Sequence, residues 1–529
     1  MKRNIISLLI TAIIGFIIYY FTLPALNIHS LGFWLFIVGL LIIFFITLLC
    51  FSIDIRGNLV RNEKILGGSM IGVLAIILGI ICIDFILSPV FQSKSYSNRI
   101  TVNEGLEFTK EVAQVDFSSI PLLDKESSQK LGDRVMGQMP ELVSQFYVSD
   151  LYTQINYNDT IIRVTPLEYN GFFKYLSNKD KGVKGYITVN SVTGESNLVK
   201  LEEGMKYVPS AIFGKDLNRY LRFKYPTKIF GDKTFEIDNE GNPYWIVPTI
   251  KYRGVGLKKE IASVIILDPI TGSSKEYKLE EVPTWVDHVY SASLIIEQVD
   301  DWGQYKDGFL NSIFGQKNVV QTTEGYNYTT MNDDVYLYTG ITSVSSDESN
   351  IGFILTNMRT KETNFYAVPG AEEYSAMESA KGQVQQMNYE STFPLLINLN
   401  NRATYLMSLK DAAGLVKMYA FVDVEDYQKV VITDSAKGIE VAAENYLNNV
   451  DLETDTTNLK TKEITISSIT QTMIDGTSYY YIKDQEGKKY SASIKINKSV
   501  LPFLQSGSKV KVSYNIEKEV TEIINLEEK

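Results

Sequence analysis

Histidine is the usual general base and a frequent zinc ligand, and this chain of 529 residues holds two, His29 and His288. His288 closes the run Trp285-Val286-Asp287-His288, where the neighbouring carboxylate can orient an imidazole. A triad also needs a nucleophile, and no Gly-x-Ser-x-Gly elbow occurs in the sequence. Ser127-x-x-Lys130 and Ser506-x-x-Lys509 have serine–lysine spacing, but neither is joined by a Lys-Thr-Gly strand or a Ser-Asp-Asn element. With two His and two Cys the chain lacks the ligand stock of a zinc site. Glu236-x-Asp238-x-Glu240-Gly241 places oxygens at alternate positions before a glycine, as a calcium loop does. Its twelfth position is Val247, and Phe235, Ile237, Tyr244 and Ile246 alternate around it, so the pattern predicts a hairpin. Asn332-Asp333-Asp334 reads as a turn. No motif calls for a cofactor.

Two other groups of residues bear on binding. Trp285, Tyr290, Trp302, Tyr305 and Phe309, with His288 among them, make the candidate ligand surface, since aromatic faces suit a glycan; the same amphipathic spacing also suits a core. Asp84 is the one acid inside an apolar run, and a carboxylate in a membrane marks a functional position by default. It lies about one helical turn from the end of that run, within reach of headgroup water.

The elements that position these residues begin with three apolar runs, 5–26, 31–53 and 66–87, each long enough to cross a hydrocarbon core of about 30 Å. In lipid such runs must be helices. The first is longer than a signal peptide's apolar region, and no small-x-small site follows it, so it is expected to stay as an anchor. Lys2 and Arg3 precede the first run, and Arg56, Arg61 and Lys64 lie between the second and third, while the turn 27–30 has no Lys or Arg. Basic segments stay in the cytoplasm, so the expected topology has a cytoplasmic N-terminus, three crossings of a bacterial plasma membrane and residues 91–529 outside. Gly68-x-x-x-Gly72 has the small-residue spacing that lets helices approach closely.

Charge and cysteine usage agree with that placement. The total of −11 divides into +2 on residues 1–92 and −13 on the rest, an acidic balance that argues against nucleic acid as a partner. Cys50 and Cys82 both lie in apolar runs, so the outer body has no disulfide, as suits a bacterial envelope.

The expected fold class is α+β: the anchor 1–90, a polar connector 91–115, a body 116–449, a linker 450–462 and a small β-barrel 463–529. Residues 185–200 match 263–278 as a strand, a turn containing Asn190 or Asp268 before Thr-Gly, and a returning strand. A weaker copy covers 352–366, and another hairpin covers 234–247. Helices are predicted over 125–136, 215–223, 302–314 and 371–386, so a helix packed on an antiparallel sheet recurs. This strand–Asp-x-x-Thr-Gly–strand pattern after a helix resembles the PepSY-type module of bacterial envelope proteins. The chain from about 91 to 430 is also similar to an uncharacterised group of Gram-positive membrane proteins, through Lys206-Tyr-Val-Pro-Ser-Ala211, Val286-Asp-His-Val-Tyr290 and Gly370-Ala-Glu-Glu-Tyr-Ser-Ala-Met377. That resemblance implies an architecture and an envelope location, and no particular activity.

After a helix at 438–447, five short strands from residue 464 onward, with Gly487 and Gly507 in their turns, suggest an OB-like barrel. The functional expectation is a scaffold or regulator that binds other membrane or envelope proteins, with cell-wall glycan as a further ligand class. A carboxylate-dependent hydrolase of wall or peptide substrates, and a subunit of a transport or export complex, are the alternatives.

Overall fold

The computed structural model describes residues 2–52, 63–331, 333–344, 349–454, 460–474, 477–494, 496–514 and 520–528. The chain divides into two compact units, Met1–Ala436 and Lys437–Lys529.

The first unit opens with α1 (Lys2–Thr22), α2 (Leu31–Ser52) and α3 (Glu63–Leu87). Ile5–Thr22 and Leu31–Cys50 are long and apolar enough to cross a membrane. Ile71–Leu87 passes the same test together with α4 (Pro89–Ser97), from which it is bent by 53°. The bend has a local cause: Ser88 is extended (φ −68°, ψ 165°) and Pro89 has no N–H to continue the helical ladder. Arg56 and Arg61, from the expected basic loop, lie outside the described residues; Lys64 falls in α3.

The polar connector 91–115 is built into the body. Buried Arg99 pairs with Glu297 at 2.7 Å, Glu260 at 3.5 Å and Asp301, and donates to the Lys259 carbonyl at 2.6 Å. The strand Val102–Leu106 then adds in parallel to Thr363–Tyr366.

Four sheets of the body follow one plan. In each, a long strand pairs along one edge with two short strands laid end to end, and along its other edge with the first arm of a hairpin whose second arm follows. The long strands are Thr160–Tyr169, Pro243–Arg253, Asp334–Ser343 and Arg402–Lys410. The second of the short strands, here called the inner short strand, is Thr153–Tyr157, Thr234–Ile237, Asn327–Met331 and Leu395–Leu399 in turn. A helix precedes each sheet: Lys125–Gly137, Leu217–Lys224, Ala292–Tyr305 and Glu373–Gln383. The first two are capped by acids, Asp124 accepting from the Ser127 N–H and Asp216 from the Arg219 N–H. The third helix lies earlier than the predicted 302–314. Buried Ala292, Ile295 and Val299 give it a helical stripe, and Gly308 at φ +92° turns the chain after it.

The repeats found in the sequence are the outer hairpins of the first three sheets. Asn190, Asp268 and Asn357 each accept two backbone N–H groups of their own turn, and Gly194, Gly272 and Lys361 take the positive φ that closes it. The fourth hairpin, Val416–Asp423 with Val430–Asp434, has the same place in its sheet and a different turn.

The second sheet lies between two cores. Trp245, Val247, Ile265 and Leu267 join the core of the first sheet, whereas Ile246, Val264 and Ile266 join that of the third. Burial on both faces explains why these strands are continuously apolar rather than alternating.

In the second unit the helix Ile439–Thr454 overlaps the expected linker, and residues 455–459 of that linker lie outside the described residues. A sheet of six strands follows, in the order Val520–Glu522, Lys489–Ser493, Thr477–Asp484, Lys460–Ile474, Lys509–Tyr514 and Asn525–Glu528. Both outermost strands come from the segment 520–528, parallel to one neighbour and antiparallel to the other. Ile464, Ile466, Tyr480, Ile482, Val510, Val512 and Leu526 fill its core.

The two matching turns differ in one testable respect. A Cβ on Gly272 would meet the Tyr207 ring at 2.5 Å, while one on Gly194 meets nothing nearer than 3.5 Å. Gly194→Ala is expected to destabilise the full-length protein by about 1–2 kcal/mol through its positive φ alone. Gly272→Ala should cost distinctly more, and equal shifts in the unfolding midpoint would contradict this packing.

Candidate functional site

The inner short strands of the four sheets converge. Thr153–Tyr157 of the first touches Thr234–Ile237 of the second and the long strand of the third, and Asn327–Met331 of the third touches Leu395–Leu399 of the fourth. Where they meet lies a cavity of about 420 Å³. Each repeat contributes to its wall: Gln154 and Arg163, then Thr234, then Tyr326 and Tyr328, then Phe393. His288, from the segment between the second sheet and the third helix, also lines it, as do Asp124 at the cap of the first helix and, beside it, exposed Lys125.

Arg163 is the unusual member. It lies mid-strand in Ile161-Ile162-Arg163-Val164 and is only 7% exposed. Its one hydrogen bond given by the geometry is a long one, Nη2 to the Leu123 carbonyl at 3.4 Å, and its Nε has no partner. Burial pushes the guanidinium down to about 10, with only partial relief from Asp124. Asp124 is itself engaged, with Lys410 Nζ at 2.5 Å and the Ser127 N–H at 2.9 Å. Beside Arg163, Gln154 is 2% exposed and neither its Oε1 nor its Nε2 has a partner. Tyr152 lines the same wall, with its unpartnered hydroxyl set against Gly132 of the first helix. Buried polar groups are normally satisfied, and an unpaired buried cation is among the costliest exceptions. The far wall is aromatic: Tyr326 and Tyr328 meet edge to face at 5.6 Å, and burial raises the Tyr328 phenol.

His288 is oriented differently from the sequence expectation. Its Nε2 donates to the Gln154 carbonyl at 2.6 Å, which fixes the ring orientation. Asp287 instead accepts the Asn156 N–H at 2.8 Å. Glu236 accepts the N–H groups of Asp287 and His288 at 2.8 and 3.2 Å and the Thr234 hydroxyl at 2.8 Å. Burial raises both acids, and the Glu236 carboxylate raises Asp287 further. Neither lines the cavity; they hold the segment that presents His288.

No protein-family model matches this chain, and no curated protein matches it. The site therefore stands on its geometry.

The other sequence candidates are placed as follows. Trp285 packs on Tyr244 at 5.1 Å; Tyr290 is buried with Lys361 Nζ 5.5 Å from its ring centre. Trp302 lies against Phe365 at 6.5 Å, and Tyr305 stacks on Phe309 at 6.4 Å. These belong to or flank the core between the second and third sheets, and of the set only His288 lines the cavity. Glu236 and Asp238 lie in the hairpin predicted for them, where Asp238 accepts from Glu240, Asn242 and the Asn242 side chain. Ser127 donates to the Gly414 carbonyl, Lys130 pairs with Glu126, and Ser506 donates to the Ser467 carbonyl.

Asp84 and His29 meet at one place. Asp84 Oδ1 accepts the Val255 N–H at 2.9 Å, and His29 Nδ1 donates to the Gly254 carbonyl at 2.7 Å. Gly254, at φ +72°, is the tip of the second sheet's central hairpin, and a Cβ there would come within 2.7 Å of the Asp84 carboxylate. The same repeat reaches α1: Arg222 donates to the Leu23 carbonyl at 3.0 Å and Arg219 to that of Tyr20 at 3.3 Å.

Asp287 yields a pH test with a defined sign. Its raised affinity for a proton in the folded state adds stability below the ordinary carboxylate range, which is lost as pH rises through the raised value. Asp287→Asn keeps an acceptor for the Asn156 N–H and is always neutral. The variant is expected to melt above the parent near pH 8, with the gap closing toward about pH 5. A gap that widens on acidification would contradict the assignment.

Proposed function

We propose that this chain is a multi-pass protein of the bacterial plasma membrane whose body lies outside the cytoplasm and works by binding, as a scaffold or regulator of envelope proteins. Its cavity would hold a ligand, or an exposed segment of a partner, that carries an anionic group against Arg163 and an apolar part against Tyr326, Tyr328 and Phe393. The observation that carries this reading is Arg163: a buried guanidinium without a carboxylate partner among the described residues, beside an unpartnered Gln154, in a cavity open enough to admit a small molecule. Such a group costs stability in the empty protein, and an anion would both neutralise it and satisfy its donors.

Several features support the rest of the reading. α3 is the third span, ending at the Ser88–Pro89 bend, and Lys2, Arg3 and Lys64 on one side favour the N-terminus inside. The fourfold recurrence of helix and sheet is in keeping with PepSY-like units, and the strand pairings of the second unit with an OB-like barrel. Binding is favoured over carboxylate-dependent hydrolysis because Glu236 and Asp287 turn their oxygens to backbone N–H groups. Anchoring is favoured over a transport role because Asp84 is bonded to Val255 of the body.

The test is to purify the full-length protein from its own membranes and compare it with Arg163→Met by native mass spectrometry and thermal unfolding. The parent should retain an acidic species that the variant loses. Stripped of that species, the parent should be less stable than the variant by about 1–3 kcal/mol. A variant that unfolds earlier than the stripped parent, or that keeps the same species, would overturn the reading.

A further inference from the structure

Two groups of large apolar side chains on the body are left in the open, and both are linked through neighbouring residues to the ends of the apolar helices. The first holds Phe173, 78% exposed, Phe213, 56%, and Phe172, 47%. Phe213 is tied to α1 through one residue: Arg219 Nη1 donates to the Phe213 carbonyl at 2.8 Å, while its Nε reaches the Tyr20 carbonyl and its guanidinium stacks 4.3 Å from the Tyr20 ring. The helix Phe172–Asn178 is fixed to the same corner by Tyr175, whose hydroxyl donates to the Ile212 carbonyl at 2.8 Å. Phe213 also has φ +56°, a conformation that a bulky residue adopts at a cost and that function commonly explains.

The second group, Phe314 at 81%, Leu310 at 70% and Ile313 at 50%, follows the helix Ala292–Tyr305. That helix packs on α4. Tyr305 lies 6.2 Å from the Tyr96 ring, and the Tyr96 hydroxyl donates to the Leu87 carbonyl at the end of α3. One patch is thus linked to α1 through Arg219, and the helix that leads into the other is linked to α4 and the end of α3 through Tyr305 and Tyr96.

We propose that these patches seat in the headgroup–acyl boundary of the outer leaflet, so that the body rests on the lipid surface at two points as well as hanging from its helices. Exposed apolar patches of this kind mark an interaction surface, and aromatic side chains favour the membrane interface. Lipid is the chosen occupant because each patch is tied, through Arg219 or through Tyr305 and Tyr96, to the end of an apolar helix. Charge fits as well: Lys174, Lys179 and Lys181 follow Phe172 and Phe173 on a body that is otherwise acidic, and would face anionic headgroups. The inference rests on the reading of α1 to α3 as membrane helices.

The experiment separates the two. In full-length protein with Cys50→Ser and Cys82→Ser, a single environment-sensitive fluorophore is placed at Phe173→Cys, Phe213→Cys or Phe314→Cys. A parallel protein keeps native Cys50, on α2, as the label site. Each is reconstituted into vesicles of phosphatidylglycerol and phosphatidylethanolamine, with and without a nitroxide lipid carrying its label near the headgroup. All three patch positions should be quenched by the nitroxide lipid and protected from aqueous iodide, as Cys50 is protected from iodide. Quenching at Cys50 alone would overturn the resting patches and leave the spans intact. Patch positions shielded from iodide but untouched by nitroxide would assign the patches to protein contact, against this proposal. An iodide-accessible Cys50 would mean the span reading itself had failed.

Discussion

A helix that ends where lipid meets water leaves its last carbonyls without partners, and in hydrocarbon each unsatisfied group costs several kcal/mol. Here the body supplies those partners. Arg222 and Arg219 donate to the Leu23 and Tyr20 carbonyls, the Pro226 carbonyl accepts the Leu26 N–H, and the hairpin tip at Gly254 closes on His29 and Asp84. All of these groups belong to the second repeat. The docking thus makes the second sheet the seat of the unit, and its two buried faces carry the first sheet on one side and the third on the other. With a tight glycine turn on one side and cores on both faces, this sheet has little room to shift, so the geometry upstream and downstream is referred to the apolar helices.

The cavity is a product of repetition on that seat. Each sheet splits one edge between two short strands; the inner strands of the first three line the cavity, and the fourth sheet adds Phe393, just before its inner strand. Three repeats contribute apolar or neutral groups there; the first contributes the charges, Arg163, Lys125 and the Lys410-paired Asp124, with Gln154 beside Arg163. A symmetric arrangement with an apolar residue at that position would pack better, so the charge is a departure from the repeat that stability alone does not explain. The buried acids Glu236 and Asp287 show the contrast: they too cost desolvation, but each is met by backbone N–H groups.

What could be read from the sequence was local. The turns at Asn190 and Asp268 were legible because one side chain and one glycine encode them, as were the apolar helices, whose composition lipid dictates. The fourth hairpin was hidden since its turn uses the Asp423 carboxylate on the Asp426 N–H, with no Thr-Gly to announce it. The third helix starts earlier than its aromatic residues Trp302, Tyr305 and Phe309 suggest, because the stripe Ala292, Ile295 and Val299 is what buries it. His288 was singled out for its neighbour Asp287, yet the group that fixes its ring is the Gln154 carbonyl, 134 residues away in sequence. Arg163 offered one signal, a charge inside an apolar strand, but its isolation depends on strands from four repeats and has no trace in local sequence.

The account turns on whether that guanidinium faces an anion. The direct measurement is a cryo-electron microscopy map of the full-length protein in nanodiscs made from its own membranes. The result expected is density in the cavity within hydrogen-bonding distance of Arg163 and the Gln154 amide, with Tyr326, Tyr328 and Phe393 around it. An empty cavity in which Arg163 has swung to pair with Asp124, displacing Lys410, would contradict the central claim.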